Sequence, residues 1–156
     1  MFLIDRELEA LTAFRRDLHR RPEVSGEERQ TAETIIAALA ETKPDAVVTG
    51  LGGYGVAAIY EGREPGPTVM VRAELDGLPI EEISEIGHRS KIKGKGHLCG
   101  HDGHMAILLA AAHHLSLTRR FRGTLRLIFQ PAEEIGAGAR ALIDAGLFRD
   151  HPVDAI

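Results

Sequence analysis

What most restricts the fold of this chain is a change of period along it. Over residues 5–19, Leu8, Leu11, Phe14 and Leu18 recur at steps of three and four, the spacing of one face of an α-helix. Arg20-Arg21-Pro22 closes that segment, because the residue before a proline is pushed out of the helical region. Ser25-Gly26-Glu27-Glu28 has the spacing of a capping box and predicts a second helix over 31–40, stopping near Pro44. The period then shortens. Residues 46–49, 56–60 and 68–73 are β-prone, and Gly52-Gly53 and Pro65-Gly66-Pro67 between them are turn chemistry, which predicts an antiparallel hairpin or meander. Residues 102–117 return to a helical period, with Met105, Leu108, Leu109, Ala112 and Leu115 on one face. A short buried strand is expected over 125–129, a helix over 138–145 with Gly146 as C-cap, and the start of another strand over 152–156. Helices interleaved with strands over 156 residues predict one α/β domain.

Composition narrows the class. At 44% hydrophobic and 27% charged residues the chain has enough apolar matter for a core, which excludes a disordered or collagen-like polypeptide. A net charge of −4 provides no general attraction to nucleic acid or to an anionic membrane, so neither is expected as a partner. No apolar run approaches the ~18 residues of a spanning helix. Residues 1–6 turn charged after three apolar positions beyond Met1, so no secretory signal is expected. The single cysteine, Cys99, excludes an intrachain disulfide and fits a reducing, cytoplasmic setting.

Three stretches carry chemistry. The first is Gly96-His97-Leu98-Cys99-Gly100-His101-Asp102-Gly103-His104. A thiolate and an imidazole separated by one glycine can turn toward one point, and both ligate zinc and similar metals. Asp102 can cap the following helix or orient a ligand imidazole. Taken alone, Cys99 is also open to the bland interpretation of a small buried residue beside cap-forming histidines. The second stretch, Leu127 to Glu134, places Glu133 and Glu134 just beyond an expected buried strand, where α/β folds keep their ligand sites. In extended backbone these two side chains point to opposite sides, so one could bind a metal while the other serves as base. The third, Val71 to Pro79, ends an apolar strand in Glu74 and Asp76, which could orient metal-bound histidines. Residues 75–98 between these stretches lack a period and predict a long functional loop.

On these motifs the chain resembles the zinc- or manganese-dependent amidohydrolases and metallocarboxypeptidases, which include hippurate hydrolase, aminoacylase, N-acetyldiaminopimelate deacetylase and the plant auxin-conjugate hydrolases. The resemblance takes in Arg16 to Glu23, Arg72 to Glu82, Cys99 to His104, Gly123 to Glu134 and Gly136-Ala137. It implies a three-layer α/β/α metallopeptidase catalytic domain with a mixed sheet, of which residues 1–156 are the N-terminal segment. It further implies Cys99, His101 and Glu134 as metal ligands, Glu133 as general base and Asp76 as the carboxylate that orients a ligand. Glu74 stands where the family more usually has aspartate. Family members are more than twice as long; they add two histidine ligands and an inserted dimerising lid domain, absent from this segment.

The implied reaction is metal-dependent hydrolysis of the amide bond in an N-acyl amino acid or short peptide, with up to two Zn or Mn ions in a complete enzyme. Two metals sharing one ligand need about five ligands, and three strong candidates are present. His97 and His104 are spare, while His113 and His114 lie roughly 15 Å along the helix from the motif. The chain alone is therefore expected to bind at most one metal, weakly, and to hydrolyse little. Two alternatives stand beside this. One is a cysteine hydrolase with Cys99 as nucleophile, for which a base two residues away has poor geometry. The other is a non-catalytic remnant or a fragment that assembles with another chain, with self-association through an exposed sheet edge.

Overall fold

The computed structural model describes residues 4–150 and 152–156; the apolar start at Met1, Phe2 and Leu3 lies outside them. Helices α1 (Asp5–Arg20) and α2 (Arg29–Ala40) lead into strands β1 (Ala46–Leu51), β2 (Gly55–Glu61) and β3 (Glu64–Glu74). Helix α3 (His101–Thr118), strand β4 (Arg122–Gln130) and helices α4 (Gly138–Asp144) and α5 (Leu147–Asp150) follow. The four strands form one mixed sheet in the order β1-β2-β4-β3: β1 and β4 run antiparallel to β2, and β3 runs parallel to β4.

Side-chain alternation sorts the sheet residues onto two faces. Val56, Ala58 and Tyr60 of β2 and Leu125, Leu127 and Phe129 of β4 pack with Leu18, Ile35, Leu39, Met105, Leu108 and Ala112 of α1, α2 and α3. Ala57, Met70 and Ile128 face the other way, onto Leu142 and Leu147 of α4 and α5. Helices thus cover both faces, which is the three-layer α/β/α arrangement.

The expected hairpin is present between β1 and β2, but the meander is not. Strand β3 does not pair with β2, because β4 lies between them. Residues 62–67 cross over the start of β4, and glycines permit the crossing. The Gly62 N–H donates to the Gly123 carbonyl at 2.8 Å. A Cβ on Gly123 would lie 1.9 Å from the Pro67 carbonyl oxygen, and one on Gly66 2.8 Å from the Arg122 carbonyl carbon. The segment 152–156, expected to begin a strand, docks on the outer edge of β3 as a single parallel bridge between Val69 and Ala155.

The capping box at Ser25 is also replaced. Ser25 turns inward to donate to Asp76, and the start of α2 is held instead by Glu23, whose carboxylate accepts the Thr31 N–H at 2.7 Å and the Thr31 hydroxyl at 2.8 Å. Residues 75–100 form the expected loop, fastened by a bridge between Leu78 and Gly96 and another between Val24 and Gly77. Because β3 and β4 are adjacent and parallel, both end at the same edge of the sheet, and the start of α3 arrives there too.

Candidate metal centre

Asp76 lies two residues beyond β3, Glu133 and Glu134 three and four beyond β4, and His101 opens α3. Gly100 sits at φ 106°, a left-handed conformation that costs glycine little, and it lets Cys99 and His101 face one point. A sulfur of Cys99, a ring nitrogen of His101 and a carboxylate oxygen of Glu134 lie within 4.8 Å of one another. Residues 35 positions apart in sequence have met, as their types require for a common cation.

The His101 imidazole is oriented from behind. Its Nδ1 lies 2.8 Å from the Asp76 carbonyl oxygen and 3.4 Å from the Asp76 carboxylate, which leaves Nε2 turned to the glutamates. Nε2 stands 3.6 Å from Glu133 Oε2 and 3.8 Å from Glu134 Oε1. Here the expectation of opposite-facing glutamates fails. Residues 133–136 form a turn rather than extended backbone, closed by the Gly136 N–H on the Glu133 carbonyl at 2.8 Å, so both carboxylates face the same imidazole. Exposure separates them instead: the Glu133 side chain is 39% exposed and that of Glu134 15%.

Asp76 is fully buried; its Oδ2 accepts the Ser25 hydroxyl at 2.6 Å and the Glu134 N–H at 2.9 Å. Burial alone would raise its pKa, but the hydrogen bonds from His101, Ser25 and the Glu134 and Glu133 backbone outweigh that and hold it at about 2. Burial likewise works against a charged His101, yet the Asp76 carboxylate and carbonyl and the Glu74 charge lift its pKa to about 9. The Cys99 thiol is pushed up by desolvation, then by the Glu134 carboxylate against it and the charges of Glu133 and Glu74. Glu134 Oε1 is buried without a hydrogen-bond partner among the described residues. An excess of negative charge, an imidazole that gathers a proton and an unpartnered buried carboxylate oxygen all suit a cation, and the S, N, O donor set suits zinc or a similar divalent ion.

Glu74, His101 and His104 form a second group of the same kind. It shares His101, and Glu74 is already engaged by Arg72 and by His104 Nδ1, both at 2.8 Å. Of the other spare histidines, His113 pairs with Glu7 at 3.0 Å on α1, and His97 is buried with neither ring nitrogen hydrogen-bonded among the described residues. Cys99 is exposed rather than a buried core residue. Asp102 neither caps α3 nor orients His101; its Oδ2 accepts from Arg15 at 2.7 Å and pairs with His19 at 2.9 Å. Spacing carried no sign of this partnership, since His19 and Asp102 are 83 positions apart.

The sequence pattern of the Peptidase family M20/M25/M40 matches residues 70–156, more than half of the chain. The chain belongs to that family. Among curated members, it is 43% identical over 138 residues to N-acetylcysteine deacetylase of Bacillus subtilis (strain 168), covering 88% of this chain and 36% of that protein. It is 40% identical over 145 residues to IAA-amino acid hydrolase ILR1-like 5 of Arabidopsis thaliana, covering 90% of this chain and 32% of that protein. Among solved M20 structures, Bacillus subtilis YXEP protein, described as a dinuclear metal binding peptidase, superimposes with a TM-score of 0.88 at 40% identity, covering 93% of this chain and 41% of that one. The chain therefore spans well under half the length of these M20 relatives. No helix among the described residues is long and apolar enough to cross a membrane.

Proposed function

We propose that these residues form the metal-binding part of an M20 amidohydrolase active site, whose substrate is an N-acyl amino acid or short peptide. Cys99, His101 and Glu134 are the cation's ligands, Glu133 the general base and Asp76 the residue that orients His101. The single observation that carries this is the convergence of the thiol, imidazole and carboxylate within 4.8 Å. A bound divalent cation, zinc or manganese, would supply Lewis-acid polarisation of the scissile carbonyl and make water acidic enough to attack near neutral pH.

The chain's own groups divide the remaining work by exposure. Glu134, the more buried carboxylate, stays with the cation. Glu133, more open to solvent, accepts a proton from the attacking water at its carboxylate and passes it to the leaving nitrogen. Asp76, held ionised by Ser25 and the Glu134 N–H, keeps Nδ1 of His101 occupied so that Nε2 is offered to the cation. Three converging ligands are fewer than the about five that two ions with a shared ligand need, so one cation per chain is expected. The hydrolytic relatives' names support an acyl-amino-acid substrate. A cysteine nucleophile fits poorly, because desolvation and then the neighbouring carboxylates push the Cys99 thiol up when a nucleophile needs it lowered.

Titration of the chain with cobalt(II), followed by near-ultraviolet absorption, tests the ligand set. One equivalent should bind with a sulfur-to-cobalt charge-transfer band that Cys99→Ser removes. A band that survives Cys99→Ser, or no saturable binding at neutral pH, would overturn the assignment. Release of amino acid from N-acetyl amino acids, measured for the chain alone, should stay far below ordinary enzyme turnover.

A further inference from the structure

Glu28 is fully buried, and packing alone gives no reason for a carboxylate there. Its Oε1 accepts the Ala132 N–H at 2.8 Å, while its Oε2 is buried with no hydrogen-bond partner among the described residues. A buried carboxylate satisfied at one oxygen works against folding. Its use lies in what it grips. Ala132 has φ 51°, the left-handed region that a Cβ disfavours. The Ala132 carbonyl accepts the N–H groups of Ala137 at 3.2 Å and Gly138 at 2.9 Å, so the orientation of this residue sets the turn through 138. The next two residues are Glu133 and Glu134. If Ala132 relaxed to an ordinary negative φ, both carboxylates would swing away from His101. The same α1–α2 connection reaches the other half of the site through Ser25 and Asp76.

We infer that Glu28 is a positioning residue: through the Ala132 N–H it holds the glutamate turn in its left-handed form and so presets the cation site. This rests on the ligand set proposed above, with Glu134 as a ligand.

The test is cobalt(II) affinity of the full chain, read from the sulfur-to-cobalt band and accompanied by far-ultraviolet circular dichroism. Glu28→Ala should lower the affinity roughly 10–100-fold with the dichroism spectrum retained, the usual effect of removing a partner of a metal ligand. Glu28→Met fills the same buried volume and should behave alike, which keeps the test valid if the alanine variant folds poorly. Glu28→Gln, whose amide oxygen still accepts the Ala132 N–H, should retain wild-type affinity. Adding Ala132→Gly to Glu28→Ala should recover part of the loss, because glycine enters the left-handed region without a Cβ penalty; a role in core packing alone would not be rescued this way. Wild-type affinity in Glu28→Met, or no recovery by Ala132→Gly in a folded double variant, would overturn the inference. Failure of the ligand set itself would look different, since the wild-type chain would then show no charge-transfer band.

Discussion

Two polar clusters flank the first turn of α3, and they differ in how their charges balance. On one side Asp102 and Glu82, both buried, face Arg15 and His19: Arg15 donates to Asp102, and His19 lies between the two carboxylates, 2.9 Å from Asp102 and 3.2 Å from Glu82. Glu82 is further held by the Ser84 hydroxyl and by the Ser90 N–H at 2.7 Å. This cluster pins the 75–100 loop between α1 and α3, although Asp102 Oδ1 is buried with no hydrogen-bond partner among the described residues. On the other side Asp76, Glu133 and Glu134 and the Cys99 thiol surround the single imidazole of His101. Carboxylates outnumber cations there. Both clusters contain a histidine among carboxylates, but the first also carries Arg15, and the donor set of the second suits a cation.

The largest test of that distinction is Glu134→Ala. It should abolish measurable cobalt binding in calorimetry while the metal-free melting temperature holds or rises, because Glu134 Oε1 is buried with no hydrogen-bond partner among the described residues and only a 3.8 Å approach to His101. A fall in metal-free stability would place the second cluster among the structural ones. The mirror experiment is His19→Ala, which leaves Glu82 and Asp102 buried without the group between them. Breaking a buried pair of this kind costs about 3–5 kcal/mol, measured by denaturant unfolding without metal. An unchanged unfolding midpoint would deny that the first cluster holds the fold.

A smaller effect is expected at Asp76→Asn. The amide oxygen can still meet the Ser25 hydroxyl, but the charge that supports His101 is gone, and cobalt affinity should fall roughly 10–100-fold in the same titration. Equal affinity would mean that the Asp76 carbonyl alone orients the ring. The last effect concerns acid. Burial raises the Glu82 pKa, but hydrogen bonds from Ser84, Ser90 and His19 more than reverse this and hold it at about 2, below the ordinary 4.5. Between these values the unfolded chain binds a proton that the folded chain does not, so stability rises with pH across the window. The contribution is complete above 4.5 and lost as pH falls through about 2. Unfolding curves between pH 2 and pH 5 should show a flatter dependence in Glu82→Gln than in wild type; parallel curves would remove Glu82 from the account.

Much of the local structure was legible in the chain. The Met105, Leu108, Leu109 and Ala112 stripe lies on the buried face of α3 as its period requires, and Leu125, Leu127 and Phe129 alternate into the core. Cys99, His101 and Glu134 were legible as candidate ligands by residue type; their side chains converge, while the backbone around the glutamates is a turn rather than the extended form expected. Helix α5, four residues long, is too short to display a period. Glu28 read as part of a cap and proved to be the acceptor for Ala132, 104 positions away. His19 lay within a motif that carried the family resemblance, yet nothing in its neighbourhood pointed to Glu82 or Asp102.

The sequence by itself determined most of the longer helices and strands, and that side chains of metal-ligand type sit where strands end and a helix begins; it did not show α5, and Gly66, expected in a turn, lies within β3. What it determined follows from local dihedral preference and from the period of apolar residues, both of which are properties of neighbours in the chain. Only the tertiary structure decided that β4 enters between β2 and β3. That choice satisfies the need to cover both faces of the sheet, and it makes β3 and β4 parallel neighbours ending at one edge. Asp76 and Glu134, 58 positions apart, meet there at 2.9 Å. Long-range pairing is set by which surfaces can be buried together, and no local pattern carries that information.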